Sequence, residues 1–150
     1  MEKGAKVFVA SDHAGFETKE KIKRYLDEKK MGYKDFTPVK KKGDDYPGYA
    51  FKVAKAVAKT RGGKGILVCG SGLGMEIAAN KVKGARAVEV YDDYTAKMSR
   101  KDNDANIISF RERGVPGKKA IKLLNTWLNT KFSGAKRHKR RIKEIAKYEK

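Results

Sequence analysis

A single cysteine, two histidines and one glycine-rich turn carry most of the chemistry open to this sequence. The run Cys69-Gly70-Ser71-Gly72-Leu73-Gly74-Met75 follows an apolar stretch, Gly65 to Val68, and leads into a helix-like segment. Alternating glycines permit positive φ and close backbone approach. A helix that starts at such a turn aims free N–H groups and the positive end of its dipole outward, which favours an anion. A cysteine beside that helix start has its thiolate favoured and could serve as base or nucleophile. The competing reading is an inert core thiol, since cysteine packs as a small apolar residue.

The histidines come next. His13 lies in Ser11-Asp12-His13-Ala14-Gly15, directly after an apolar run. His138 lies in Lys136-Arg137-His138-Lys139-Arg140-Arg141, which reads equally as a solvated helix face or a phosphate clamp. A dinucleotide fingerprint would need glycine at position 75 after Gly70 and Gly72, and Met75 stands there. Glu89 sits near the distance expected of a ribose-binding acid, but the fingerprint normally follows the first strand, which weakens that reading.

These residues need a scaffold. Lys6 to Ala10, Tyr33 to Phe36, Gly65 to Cys69, Ala85 to Tyr91 and Ala105 to Phe110 read as strands. Between and after them, Phe16–Lys29, Tyr49–Thr60, Leu73–Lys81, Asp93–Arg100 and Pro116–Leu128 read as helices, the last opened by a first-turn proline. In the second helix Phe51, Val53, Ala54, Val57 and Ala58 are expected to face inward. Repeated strand–helix alternation implies a three-layer, Rossmann-like α/β fold with a five-stranded parallel sheet. Ile142, Ile145 and Ala146 keep helical spacing, so the basic end forms a C-terminal helix of the same domain, residues 1–150. Pro38 to Asp45 is the expected mobile loop. Ligands of such sheets bind beyond the carboxyl ends of the strands. Asp12, His13, Cys69, the glycine turn, Arg111 and Arg113 are therefore expected on one rim.

Lysine plus arginine number 37 against 18 acidic residues, a formal charge of +19. Much of the excess, including Lys19, Lys21, Lys23, Lys29 and Lys30, is expected on exposed helix faces. Such a field attracts anions of any size, but no nucleic-acid-binding motif accompanies it. No apolar run reaches the roughly 18–20 residues of a membrane span, and the opening residues do not read as a secretory signal. One cysteine suits a reducing compartment, and a cytoplasmic protein is expected.

Several segments together resemble the ribose-5-phosphate isomerase B family, which also includes galactose-6-phosphate isomerase subunits and allose-phosphate isomerases. They are Val9-Ala10-Ser11-Asp12-His13-Ala14-Gly15-Phe16, Asp45-Tyr46-Pro47, Gly65 to Lys81, Asn103-Asp104-Ala105-Asn106, and Arg137-His138 through Arg141. The resemblance implies a metal-free, cofactor-free aldose–ketose isomerisation through a cis-enediolate, run by a homo-oligomer, dimer or tetramer, on a phosphorylated sugar. It implies Cys69 as the base and Ser71, with the backbone N–H groups of Gly70 through Met75, as stabiliser of the enediolate. It implies substrate contacts from Asp12, His13, Asn103, Arg113, Arg137 and Arg141. One departure stands out. The family's ring-opening acid is a histidine just before the asparagine matched by Asn103, and here that position is Asp102. Asp102 is expected to face the sugar; the alternative is a residue that only caps its turn. Lys40-Lys41-Lys42 and the spacing before Arg137 also depart from the family. The substrate is expected to be ribose 5-phosphate, with a six- or four-carbon aldose phosphate as alternative and a non-catalytic binding protein as the remaining one.

Overall fold

The structure is a computed structural model that describes residues 6–150. Five strands alternate with helices: β1 (Val7–Ser11), α1 (Phe16–Glu28), β2 (Tyr33–Asp35), α2 (Pro47–Lys59), β3 (Lys64–Cys69), α3 (Leu73–Ala79), β4 (Ala87–Glu89), α4 (Asp93–Lys101) and β5 (Ile107–Arg111). Two helices close the chain, α5 (Gly117–Asn129) and α6 (Lys136–Tyr148). The sheet is parallel throughout, in the order β2-β1-β3-β5-β4.

β1, β3 and β5 are almost wholly apolar because helices cover both faces of the sheet, so each side chain has a core to enter. Val7, Val9, Ile66, Val68, Ile108 and Phe110 point to one face and meet Ile22 and Leu26 of α1, Ala96 of α4 and Leu123, Leu124 and Trp127 of α5. Phe8, Ala10, Leu67, Cys69 and Ile107 point to the other and meet Val53, Ala54 and Val57 of α2 and Met75, Ala78 and Ala79 of α3. Alternate strand residues thus supply two cores, and each fully buried Ile or Leu contributes roughly 1.5–3 kcal/mol.

Three local expectations change. Lys19 is fully buried: its Nζ lies 2.6 Å from Asp35 and 3.0 Å from Glu20, so a helical charge has become a core ion pair. Phe51 and Ala58 face outward, since the buried stripe of α2 narrows to Ala50, Val53, Ala54 and Val57. Pro116 is the N-cap of α5, and the helix begins at Gly117. Residues 38–45 are irregular, but Asp44 at the far end is held by the site.

Candidate active site

Strand order reverses between β1 and β3, which opens a crevice at their carboxyl ends. Asp12 and His13 follow β1, and Cys69 ends β3. With Tyr46, Ser71 and Arg113 they line a pocket of about 200 Å³.

The glycine turn is built around the thiol. Gly72 N–H donates to Cys69 Sγ at 3.2 Å, and an N–H aimed at sulfur stabilises negative charge there. Gly72 has φ 76°, and a Cβ on it would stand 3.0 Å from the backbone of β5. Only glycine supplies that N–H without strain. Ser109 Oγ donates to the Gly72 carbonyl at 2.6 Å and fixes the turn to β5. Beyond the strands, Glu112 N–H donates to the Cys69 carbonyl at 2.9 Å and Arg113 N–H to that of Gly70 at 3.1 Å. This draws the Arg113 guanidinium across Gly70, where a Cβ would lie 2.8 Å from it. Ser71 is exposed, with its Oγ accepting the Leu73 N–H at 3.3 Å. The Leu73 side chain faces outward, and that of Met75 is wholly in the core. Neither of these two expected substrate contacts lines the pocket.

The β1 side is equally fixed. Asp12 Oδ1 accepts the Gly15 N–H at 3.0 Å, which leaves Oδ2 for a ligand. Asp44 Oδ1 accepts the backbone N–H of His13 at 2.9 Å and stands 2.8 Å from its Nδ1. Burial pushes the Asp44 carboxyl up, but bonds from His13 and the Tyr49 hydroxyl outweigh it and hold the group below its ordinary value. Behind β1, Ser11 N–H donates to Thr37 Oγ1 at 2.9 Å, and Thr37 N–H to Asp35 Oδ1 at 2.9 Å. Asp35 is desolvated, yet Lys19, Thr37 and Lys23 hold its carboxyl below the ordinary value. The buried Lys19–Asp35 pair thus anchors the loop that carries Asp12 and His13.

Asp102, Asn103, Arg137 and Arg141 do not join this rim. Asp102 caps the C-terminus of α4 and Asn103 precedes β5, so both lie at the amino end of the sheet. The register pairs Cys69 with Arg111 at the far end of β5; four strand residues separate the levels, about 13 Å. Asn103 and Arg141 border a separate groove of about 1050 Å³ between α6 and the start of β4. Arg137 lies one turn earlier on α6, exposed. Asp102 Oδ1 is 3.3 Å from Nε2 of His138, and Gly84 N–H donates to Glu149 Oε2 at 2.6 Å, so α6 is fastened near both ends.

Asp44 and Tyr46 complete the rim, and residue spacing does not single them out as site residues. The acidic pair ahead of Tyr46-Pro47 is the available signal, masked because that loop reads as mobile. Among the described residues, no group of three or more His, Cys, Asp or Glu is gathered as a metal site.

Residues 7–145 match the Ribose/Galactose Isomerase family. The chain belongs to that family. It is 38% identical to ribose-5-phosphate isomerase B of Escherichia coli over 96% of each chain. Its fold matches ribose-5-phosphate isomerase B of Mycoplasma genitalium with bound ribulose-5-phosphate, at TM-score 0.90 and 40% identity, over 95% of this chain and 94% of that one. The type B ribose 5-phosphate isomerase of Trypanosoma brucei aligns at TM-score 0.91 and 42% identity, over 97% and 99%. Its relatives make the protein an isomerase.

Proposed function

We propose that the protein interconverts ribose 5-phosphate and ribulose 5-phosphate in the cytoplasm, without metal or cofactor, with Cys69 as the proton-transfer base. The observation that carries this reading is the Gly72 N–H on the Cys69 sulfur inside the pocket shared with Asp12, His13 and Arg113. The Cys69 thiolate takes the proton from C2 of the open aldose. The C2–H electron pair forms the C1–C2 double bond, and charge collects on O1. The Ser71 hydroxyl and the N–H groups of the turn stabilise that oxygen. The O2 proton passes to O1, the C2 carbonyl forms, and Cys69 returns its proton to C1 to give the ketose. Asp12 holds a sugar hydroxyl, and His13 and Arg113 meet the anionic end.

The same reading makes the protein a homo-oligomer. Asn103, Arg137 and Arg141 serve as sugar and phosphate ligands only if a second copy brings its amino-end corner to this crevice. Phe51, Leu73 and Ile77, exposed large apolar residues of the α2–α3 layer, supply a surface for that contact.

The test is turnover of ribose 5-phosphate by the purified protein, alongside allose 6-phosphate, galactose 6-phosphate and a four-carbon aldose phosphate. Cys69→Ala should lower the turnover number by about 10³-fold, within the range of general-base catalysis. Cys69→Ser should lose at least about 10²-fold, because a hydroxyl is a far weaker acid. Full activity in the alanine variant would sink the assignment.

A further inference from the structure

A second carboxylate–imidazole pair stands outside the pocket. His138 is buried on α6, and its Nε2 faces Asp102 Oδ1 at 3.3 Å across from the end of α4. Among the described residues, Nδ1 of His138 has no hydrogen-bond partner. An imidazole with a carboxylate 3.3 Å from one nitrogen and no partner on the other is arranged for proton transfer. Its neighbours in the chain, Arg137 and Arg141 on α6 and Asn103 beside Asp102, are polar groups suited to a phosphorylated sugar. An aldopentose 5-phosphate rests mainly as a closed furanose, and its C2 proton cannot be exchanged for a ketone until the ring opens.

We propose that the Asp102–His138 pair opens that ring, acting on sugar bound in the Cys69 crevice of a neighbouring copy. This rests on the isomerase reading above. Nδ1 of neutral His138 takes the proton from the anomeric hydroxyl, and the O1–H electron pair forms the C1 carbonyl. The C1–O4 bond breaks with its electron pair on O4, and the imidazolium returns the proton there. Asp102 stabilises the imidazolium between the two transfers. One proton moves from O1 to O4, and nothing is oxidised or reduced.

Ribulose 5-phosphate separates ring opening from isomerisation, because its only hydroxyl that could close a five-membered ring is esterified. Two rates are measured for parent, His138→Ala and Asp102→Asn: turnover of ribose 5-phosphate, and exchange of the C1 hydrogen of ribulose 5-phosphate with deuterated water by NMR. His138→Ala should lower ribose 5-phosphate turnover by about 10²-fold and leave exchange within about twofold. Asp102→Asn should show the same split at about 10-fold, with oligomer size and melting temperature unchanged in both. A parallel fall in both rates makes His138 a binding or packing residue and overturns the proposal, as does no fall in either. A parent inactive in both assays overturns the isomerase reading, and the proposal with it.

Discussion

The two carboxylate–imidazole pairs of this molecule, at opposite ends of one sheet, are built in opposite senses. In the pair at the carboxyl rim, the Asp44 side chain is 10% exposed and the His13 ring 39%. At the amino-end corner the ring of His138 is 11% exposed and Asp102 37%. The first contact is 2.8 Å and reinforced by a backbone N–H to the same oxygen; the second is 3.3 Å and has no such support. A buried carboxylate presenting an exposed ring is finished within one chain and ready to meet an anion. A buried ring beside an exposed carboxylate leaves the charged partner at the surface, where a ligand or a second copy would cover it. The rim is also braced from below by the buried Lys19–Asp35 pair, whereas the corner rests on the ends of α4 and α6.

The comparison breaks most sharply if the corner serves its own chain. Cys69→Ala protomers and Arg137→Ala/Arg141→Ala protomers should each be nearly inactive at limiting ribose 5-phosphate. Unfolded and refolded together in equal amounts, they should regain about a quarter of parental activity if the assembly is a dimer, since half the dimers are mixed and each has one intact site. No recovery would show that each site draws on a single chain.

The bracing beneath the rim predicts a stability effect. Asp35→Ala leaves the Lys19 ammonium buried with only Glu20, and should cost about 3 kcal/mol in urea unfolding. Because the folded Asp35 carboxyl is held below its unfolded value, its contribution is complete above about pH 4 and disappears as pH falls through the lower folded value. The Asp35→Ala variant should therefore lose its deficit relative to the parent in strong acid. An equal deficit at all pH values would assign the loss to packing. At the rim itself, Asp44→Asn keeps the shape of the pair but removes its charge. It should raise the Michaelis constant for ribose 5-phosphate by about 10-fold, the size of one charge-assisted bond, with little change in turnover number.

Most of the rim is legible in the sequence because Asp12, His13, Ser71 and Arg113 follow strands and Cys69 ends one, and carboxyl ends of parallel strands converge. Cys69 and Asp12 need nothing more. Lys19 misleads because its spacing on α1 resembles that of its exposed neighbours; its burial is decided by Asp35, on another strand. Asp44 escapes notice because its role depends on a loop folding back over His13. Asn103 and Asp102 are expected with the other ligands, although a residue just before a parallel strand belongs at its amino end. Spacing contains that signal, and the family resemblance, which groups ligands by role, obscures it. Nothing in one chain's sequence says that α6 turns His138 toward Asp102.

The smallest effect is expected where the comparison is most exposed, at Asp102. The position has two readings: a chemical partner of His138, or the C-cap of α4 whose side chain happens to pass the imidazole. Its carboxylate oxygens accept hydrogen bonds. Asp102→His removes the charge that stabilises His138 and supplies a second imidazole at nearly the same point, titrating in the working range. The two effects oppose each other, so ribose 5-phosphate turnover should stay within about threefold of the parent, well above Asp102→Asn. The order parent, then His, then Asn distinguishes proton transfer from capping. Asp102 ends the helix with right-handed backbone, φ −99°, which asparagine and histidine both adopt, so a capping role would leave the two variants alike in melting temperature and in rate. That equality would leave His138 without a chemical partner and reduce the amino-end corner to a phosphate-binding surface.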